Sequence, residues 1–392
     1  MQRLLPLFLG ILLAASAGRA GTVLVIPFSN QSASNNLDWI SESISQSLRE
    51  ALASRGLLVV SREDRQEVYR RLSIRPYVRL TRASVIKVAE ELDADQVVFG
   101  EFEVAPGPAP QGSLRIAAVL LDTGHMKKGP EFVEQGPLED LARLQNLLAW
   151  QVLRFLAPEA TPSAEQFLVE HPPVRVDALE NYIRGLLAAT PEQKQRYFNQ
   201  AVRLESGYSQ PCFELGRLNW ERKEYRLAAG WLARVKPADP HYWEANFLLG
   251  LCRYYTSDFE GAGAAFALVA QSVPLNEVFN NLAAAQSRRN LPEALENFEK
   301  ASAGDTADPD YHFNAGYVHW KRKEFAAAAE RFRVALERSP EDVKATLLLG
   351  RCLQKSGPRP GDPASDGLER LKHNFEERAW RALKAQFEAK KP

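Results

Sequence analysis

Small residues recur at a nearly constant interval along the second half of the 392-residue chain. Gly216, Gly250, Ala283, Gly316 and Gly350 follow one another at intervals of about 34 residues. Three further positions repeat with them: alanine at Ala228, Ala262, Ala294 and Ala328, a bulky apolar residue at Leu232, Phe266, Phe298 and Phe332, and proline at Pro240, Pro274, Pro309 and Pro340. Such a period is typical of stacked helical hairpins, because one hairpin cannot bury its apolar face and a stack can.

The pattern resembles the tetratricopeptide repeat, a helix pair of about 34 residues. From about residue 178 to 392 the resemblance implies an all-α superhelical solenoid of about six units. Within a unit we expect the small residue of the first helix to face the alanine of the second, and the bulky residue to fill the gap toward the next unit. Residues 356–367 contain three prolines and three glycines and are predicted to form a loop. A charged helix, Leu368–Lys390, is predicted to cap the stack.

Residues 21–157 follow a different pattern, in which β-branched runs alternate with apolar residues at helical spacing. The predicted strands are 22–26, 57–60, 95–102, 114–121 and 131–134, and the predicted helices are 37–54, 62–72, 83–92 and 138–156. This alternation predicts an α/β domain. Residues 158–177 are rich in proline and are predicted to be a semi-rigid linker.

Four stretches of this domain resemble the amino-terminal domain of the TolB-like family. They are residues 25–30 (VIPFSN), 37–40 (LDWI), 58–62 (LVVSR) and 95–100 (DQVVFG). The resemblance implies a mixed sheet with helices, in a non-enzymatic bacterial cell-envelope protein that docks partners. Family members often combine this domain with tetratricopeptide repeats, whereas the β-propeller of TolB itself has no counterpart here.

Residues 1–20 have the composition of an export signal. Arg3 precedes the apolar stretch Leu4–Ala15, and small residues suit cleavage after Ala17 or Ala20. A retained membrane anchor is the alternative, although the apolar stretch is shorter than the ~20 residues that a membrane span needs. We therefore expect a periplasmic or secreted protein with no integral membrane segment after signal removal.

The composition offers no pattern typical of catalysis, metal binding or nucleic-acid binding. The six histidines lack the spacing of a zinc site, and the formal net charge is zero rather than basic. We therefore predict no cofactor, no metal, no nucleic-acid partner and no enzyme activity. The three cysteines, Cys212, Cys252 and Cys352, are interpreted as small core residues.

The repeat resemblance implies a concave groove lined by the first helix of each unit. The predicted partner-binding residues at such positions are Phe213, Arg217, Trp220, Phe247, Tyr254, Asn281, Arg288, Phe313, Asn314, Tyr317, Trp320 and Lys321, with Leu251 and Asn280 beside them. Aromatic and arginine side chains are enriched at binding hot spots. In the alternative interpretation the aromatic residues pack the superhelix and the asparagines bond neighbouring backbone. Asn281 and Asn314 also lie where related domains bind a C-terminal carboxylate, but the lysines that complete such a clamp are out of register.

These patterns together predict a cell-envelope scaffold. Its groove would bind partner proteins or extended peptides, and its first domain would dock to another envelope component. Two alternatives stay open: an activator of an envelope enzyme such as a peptidoglycan synthase, and a hydrolase that uses a cleft of the α/β domain.

Overall fold

A computed structural model describes residues 21–105, 112–359, 365–377 and 380. The predicted export signal, residues 1–20, lies outside them. Five strands form one mixed sheet, β1 (Val23–Val25), β2 (Ser29–Asn30), β3 (Gln96–Ala105), β4 (Ser113–Asp122) and β5 (Lys127–Pro137). The strand order is β1-β3-β4-β5; β1 and β2 pair with β3 in parallel, and β3, β4 and β5 are antiparallel neighbours.

The predicted strand at residues 57–60 is reduced to one parallel bridge between Val59 and Val23. Its pairing is short because β1 is only three residues long and because Ser61 already caps the next helix by accepting the Asp64 N–H. The prediction of a full strand here was therefore wrong.

Helices cover both faces of the sheet: α1 (Asp38–Ser54), α2 (Arg62–Arg71), α3 (Arg82–Glu91) and α4 (Leu141–Leu156). Val25 and Val98 pack on the side of α1 and α4, whereas Leu24 and Val97 pack on the side of α2 and α3. This alternation follows from the two-residue period of a strand, which sends successive side chains to opposite faces. The α/β architecture predicted from the sequence is present.

From residue 164 to residue 353 the chain is built from helices and the short turns between them. After α5 (Ala164–Glu170), the hairpin pairs are α6 (Val176–Leu187) with α7 (Pro191–Leu204), α8 (Ser209–Glu221) with α9 (Tyr225–Leu232), α10 (Tyr242–Tyr255) with α11 (Phe259–Ser272), α12 (Asn276–Arg288) with α13 (Glu293–Gly304) and α14 (Pro309–Lys321) with α15 (Phe325–Arg338); α16 (Val343–Leu353) follows. None of the helices that the structure describes has both the length and the hydropathy that a membrane crossing requires.

The glycines of four first helices, Gly185, Gly216, Gly250 and Gly316, make room for a large side chain of their own unit. A Cβ added to Gly216 would lie 2.5 Å from the Leu232 side chain, and one added to Gly250 would lie 2.7 Å from the Phe266 ring. The expectation that these glycines face alanine was wrong. The bulky residue of the second helix takes the space instead, because a glycine leaves more room for it at this crossing than a residue with a side chain.

The α/β domain and the repeats share one continuous hydrophobic core. Ile44 and Leu48 of α1 belong to the same buried cluster as Ile183 of α6. Glu50 of α1 accepts hydrogen bonds from the Tyr182 hydroxyl (3.3 Å) and from Nε2 of Gln210 (3.1 Å). The first repeats are therefore packed on the α/β domain rather than joined to it by a linker alone.

The predicted capping helix does not begin at Leu368. Residues 368–376 have no helical structure, and the segment 365–377, here called the tail segment, runs along the inner face of the repeats. Its backbone groups bond to side chains of α12 and α14 instead of to one another. Tertiary contacts thus replace the hydrogen bonds that a helix would have made.

Candidate peptide-binding groove

The tail segment contacts most of the side chains that the sequence analysis assigned to the groove. Those in contact are Trp220, Phe247, Tyr254, Asn281, Arg288, Phe313, Asn314, Tyr317 and Lys321. Each lies on the first helix of its unit, namely α8, α10, α12 or α14. The residues named from the sequence therefore converge on one path, which the chain itself occupies.

Two buried asparagines bond to the backbone of the tail segment. Asn281 donates to the Lys372 carbonyl (2.7 Å) and accepts the Lys372 N–H (2.8 Å). Asn314 makes the same pair of bonds to the carbonyl and N–H of Arg370, both at 2.8 Å. Each side-chain amide thus satisfies both backbone groups of one residue, as a neighbouring strand would in a sheet. Such contacts require an extended backbone and no particular side chain.

Asn280 joins the two asparagines into one network. Its Nδ2 also donates to the Arg370 carbonyl (2.8 Å), and its Oδ1 accepts a hydrogen bond from Nδ2 of Asn314 (2.7 Å). All three side chains are fully buried. Asn281 and Asn314 lie one repeat apart. Consecutive repeats therefore present an asparagine amide from equivalent positions, and the two amides bind alternate residues of the tail segment.

An acidic side chain of the tail segment lies in a closed site between two repeats. The Glu369 carboxylate is completely buried and accepts hydrogen bonds from Ser287 Oγ (2.7 Å) and Lys321 Nζ (3.4 Å). Burial, together with the Glu369 charge, raises the pKa of both Tyr254 and Tyr317. These phenols therefore stay protonated, and the Tyr254 hydroxyl lies 3.5 Å from the carboxylate as a further donor.

Arg370 bridges two repeats. Its guanidinium forms ion pairs with Asp310 (3.0 Å) and Asp342 (2.6 Å). It also lies 3.6 Å from the centre of the Phe313 ring, which is fully buried. The site therefore combines a cation–π contact with two carboxylates, which suits a planar, permanently charged guanidinium.

Lys372 occupies the neighbouring acidic site. Its Nζ lies 2.7 Å from Asp308 and 2.7 Å from Asp310. Burial would lower the pKa of Lys372, but the two carboxylates outweigh it and raise that pKa. For Asp310 burial would raise the pKa, and the charges of Lys372 and Arg370 outweigh it and lower that pKa. Both shifts mean that docking of the tail segment favours the charged forms.

The acidic residues of these sites were missed by the sequence analysis. Asp308 and Asp342 cap the first turns of α14 and α16. An aspartate before a helix is usually interpreted as a cap, so the sequence alone does not indicate a second role. A periodic pattern could have identified Asp310. Glu277 and Asp310 also lie one repeat apart, and each precedes its asparagine by one helical turn. Glu277 also contacts the tail segment, since its carboxylate accepts the Glu376 N–H at 3.3 Å.

Aromatic residues of α8 and α10 contact the other end of the tail segment. The Tyr255 hydroxyl lies 2.6 Å from Nε2 of His373, whose ring is 5.9 Å from that of Trp220. Phe375 lies against Phe247, with ring centres 5.1 Å apart. Burial and the neighbouring charge of Lys372 lower the pKa of His373.

Three of the predicted residues have other neighbours. Phe213 is buried and stacks on His241 with ring centres 4.3 Å apart, and the Arg217 guanidinium lies 5.8 Å from the Phe213 ring. Trp320 is fully buried, and its Nε1 donates to the Ser356 carbonyl (2.8 Å), just before the tail segment. None of these contacts involves the described residues of the tail segment.

No metal or redox centre is visible in the described ranges. No three histidine, cysteine, aspartate or glutamate side chains there are grouped as a metal would require. All three cysteines are buried and unbridged. Burial raises the pKa of Cys252 to about 12 and that of Cys352 to about 11, so both thiols stay neutral.

Comparison with protein families identifies the helical repeats. The tetratricopeptide repeat family matches residues 283–343 and 324–357, which extend from α12 to α16. This part of the chain consists of tetratricopeptide repeats, a fold that typically serves protein interaction. No curated protein sequence matches the chain.

Several solved structures are similar to part of this chain. MamA 41-end from Desulfovibrio magneticus RS-1 is 20% identical over 43% of this chain and 98% of that chain, with a TM-score of 0.38. YrrB, described as a TPR protein with an unusual peptide-binding site, is 17% identical over 45% and 92%, with a TM-score of 0.41. PilF of Pseudomonas aeruginosa is 19% identical over 45% and 80%, with a TM-score of 0.36.

Proposed function

We propose that this protein is a non-catalytic scaffold whose groove binds an extended segment of a partner protein by its backbone. One observation carries the proposal: Asn281 and Asn314 each bond to both the N–H and the carbonyl of one residue of an extended segment. The proposed contact set consists of the nine predicted side chains that the tail segment contacts, together with Asn280, Asp308, Asp310, Asp342, Ser287 and Tyr255.

With the tail segment in place, the side chains of Asn280, Asn281 and Asn314 are fully buried, and their outward bonds go to that segment. A ligand that covered these amides without offering a donor and an acceptor would leave buried polar groups unpaired, at a cost of about 1–3 kcal/mol each. The groove is therefore suited to a polypeptide backbone, which offers a donor and an acceptor at every second residue on one side.

We further propose that the scaffold works in the bacterial cell envelope, with the α/β domain docking to a second component. The export-type composition of residues 1–20 and the four TolB-like stretches support this location. The mixed sheet flanked by α1 to α4 is compatible with that resemblance. Amino-terminal sequencing of the mature protein tests the location: cleavage after Ala17 or Ala20 would expose Gly18 or Gly21, and an intact Met1 would contradict export.

Site-specific crosslinking tests the groove as the binding surface. A photo-crosslinking residue at Tyr255, at the exposed edge of the groove, is expected to capture partner segments in cells. The matched control places it at Leu227 on α9, which is 59% exposed and outside the groove. Capture from position 255 should fall when Asn281 and Asn314 are both alanine. Equal capture from both positions, unaffected by the alanines, would contradict the proposal.

A further inference from the structure

We propose that the partner segment competes with the tail segment for the groove and shares its charge order: an acidic residue, a basic residue, an apolar residue and a second basic residue. In the chain itself these are Glu369, Arg370, Leu371 and Lys372. The inference rests on the proposed function, since it names the kind of ligand that the same groove selects. The asparagines select an extended backbone, and the neighbouring side chains select its charges.

The acidic position is specified by a closed site. The Glu369 side chain is completely buried, with the hydroxyl of Ser287 and the ammonium group of Lys321 directed at it. An apolar side chain would leave the Lys321 ammonium without a counter-charge, with only the carbonyl and hydroxyl oxygens of Ser287 as partners, and a basic side chain would place two cations together. Both arrangements are unfavourable away from water.

The two basic positions are specified by three carboxylates. Asp308, Asp310 and Asp342 converge on Arg370 and Lys372, and Asp310 contacts both cations. Without a cationic ligand these carboxylates would repel one another. Residues separated by two lie on the same side of an extended chain, so a basic–apolar–basic order presents both cations to the acidic sites.

The tail segment is a default occupant of the groove. It follows α16 in the same chain after a connection that begins at residue 354, and a short tether gives a local concentration on the order of millimolar. A separate segment of equal intrinsic affinity therefore meets an occupied groove at ordinary concentrations. Binding of the partner is conditional on release of the tail segment, which makes the tail segment an internal competitor.

Peptide binding to the full-length protein tests the inference. The probe is a fluorescent peptide with the sequence of residues 365–377, and the control peptide carries glutamate at the two basic positions. The proteins are the wild type and the Arg370→Glu/Lys372→Glu variant, in which the substituted tail segment faces the three carboxylates with like charge. Because these two residues lie outside the helices, the repeats should stay folded, which circular dichroism checks.

We expect the probe to bind the variant at least about tenfold more tightly than the wild type, because an occupied site lowers apparent affinity by the open fraction. The control peptide should bind the variant at least about tenfold more weakly than the probe, since it meets Asp308, Asp310 and Asp342 with like charge. Adding Asn281→Ala and Asn314→Ala to the variant should abolish binding of the probe.

Different failures are distinguishable. Equal affinity of the probe for wild type and variant would overturn the competition. Equal affinity of both peptides for the variant would overturn the charge order and leave the proposed function standing. No binding of either peptide to the variant would contradict the proposed function as well. If the wild type sediments as a dimer and the variant as a monomer, the tail segment of one copy binds the groove of another copy. That result would overturn competition within one chain.

Discussion

The two halves of the groove hold the same segment by different chemistry. On α12, α14 and the start of α16, buried amides bond to the backbone of Arg370 and Lys372. Ser287 and Lys321 bind the Glu369 carboxylate there, and aspartates pair with the cations of Arg370 and Lys372. On α8 and α10, the aromatic rings of Trp220, Phe247 and Tyr255 lie against His373 and Phe375. The first half offers fixed directional bonds, and the second offers apolar surface with one hydroxyl.

The difference indicates that the amide half can supply selectivity for a ligand, whereas the aromatic half can supply affinity. Directional bonds to a backbone and paired charges are lost sharply when one partner is removed. Ring contacts are broad and tolerate change, so the aromatic half can accept other residues of similar size. We therefore expect substitutions in the amide half to release the tail segment and substitutions in the aromatic half to loosen it.

The largest effect is expected from the double substitution Asn281→Ala/Asn314→Ala. It removes four hydrogen bonds to the tail segment, each worth about 0.5–1.5 kcal/mol net, so docking should weaken by about 2–6 kcal/mol. Hydrogen exchange at the Arg370 and Lys372 amides should accelerate accordingly. The matched control is Asn199→Ala on α7, whose side chain bonds only within its own helix. Unchanged protection of both amides would contradict the comparison.

A smaller effect is expected from Asp310→Asn. This carboxylate is shared by Arg370 and Lys372 and is partly exposed, so its loss should weaken docking by about tenfold to a hundredfold. The effect should shrink in high salt, which screens what remains of the attraction. Asp305→Asn is the control, because Asp305 bonds to the Ala307 N–H and not to the tail segment. Limited proteolysis of residues 365–377 gives the measurement, and equal cleavage of both variants would count against the acidic site.

Acid should loosen the aromatic half. Docking lowers the pKa of His373 below its ordinary value of 6.5. The contribution of neutral His373 to docking of the tail segment is therefore fully present above pH 6.5, and it is lost as the pH falls below that value. Between pH 7.5 and 5.5 we expect docking of the tail segment to weaken by less than about tenfold. The limit is tenfold because a free imidazole at pH 5.5 is protonated about ten times more often than it is neutral.

Hydrogen exchange of the tail segment at the two pH values measures this effect, after correction for the intrinsic exchange rates. The change should disappear in a His373→Gln variant, which keeps a polar side chain and does not titrate. An equal pH dependence in that variant would assign the effect to other groups.

The smallest effect is expected from Tyr255→Phe. The hydroxyl contacts His373 at the exposed edge of the groove, where water can replace it, so docking should weaken only about threefold. Tyr225→Phe is the matched control, since the Tyr225 ring stacks on Tyr255 with centres 4.8 Å apart and belongs to α9, a second helix of its unit. A Tyr255→Phe effect as large as that of the asparagines would remove the distinction between the two halves.

The sequence predicted the elements whose patterns are local. The repeat register and the four helices of the α/β domain follow from apolar spacing and small residues. Burial at each groove position was not predictable, because Phe313 and Trp320 are fully enclosed while Trp220 is only partly so. The export signal, the TolB-like identity and the two functional alternatives remain predictions.

The tail segment was mispredicted because its structure depends on distant residues. Leu368–Lys390 is rich in helix-forming residues, and intrinsic propensity favours a helix there. The bonds that override it come from Asn281 and Asn314, which lie far earlier in the chain, on α12 and α14. Only the recurrence of asparagine and acidic residues at the repeat period signals that a backbone is bound on this face.

The contacts of Arg370 also bear on the mechanics of the repeat stack. A solenoid is elastic, because each unit touches only its neighbours and small rotations accumulate along it. The tail segment crosslinks three successive first helices non-covalently, because it binds Asn281 of α12, Asn314 of α14 and Asp342 at the start of α16. We expect departure of the tail segment to let those units rotate relative to one another, so that an empty groove and an occupied groove differ in the pitch of the superhelix.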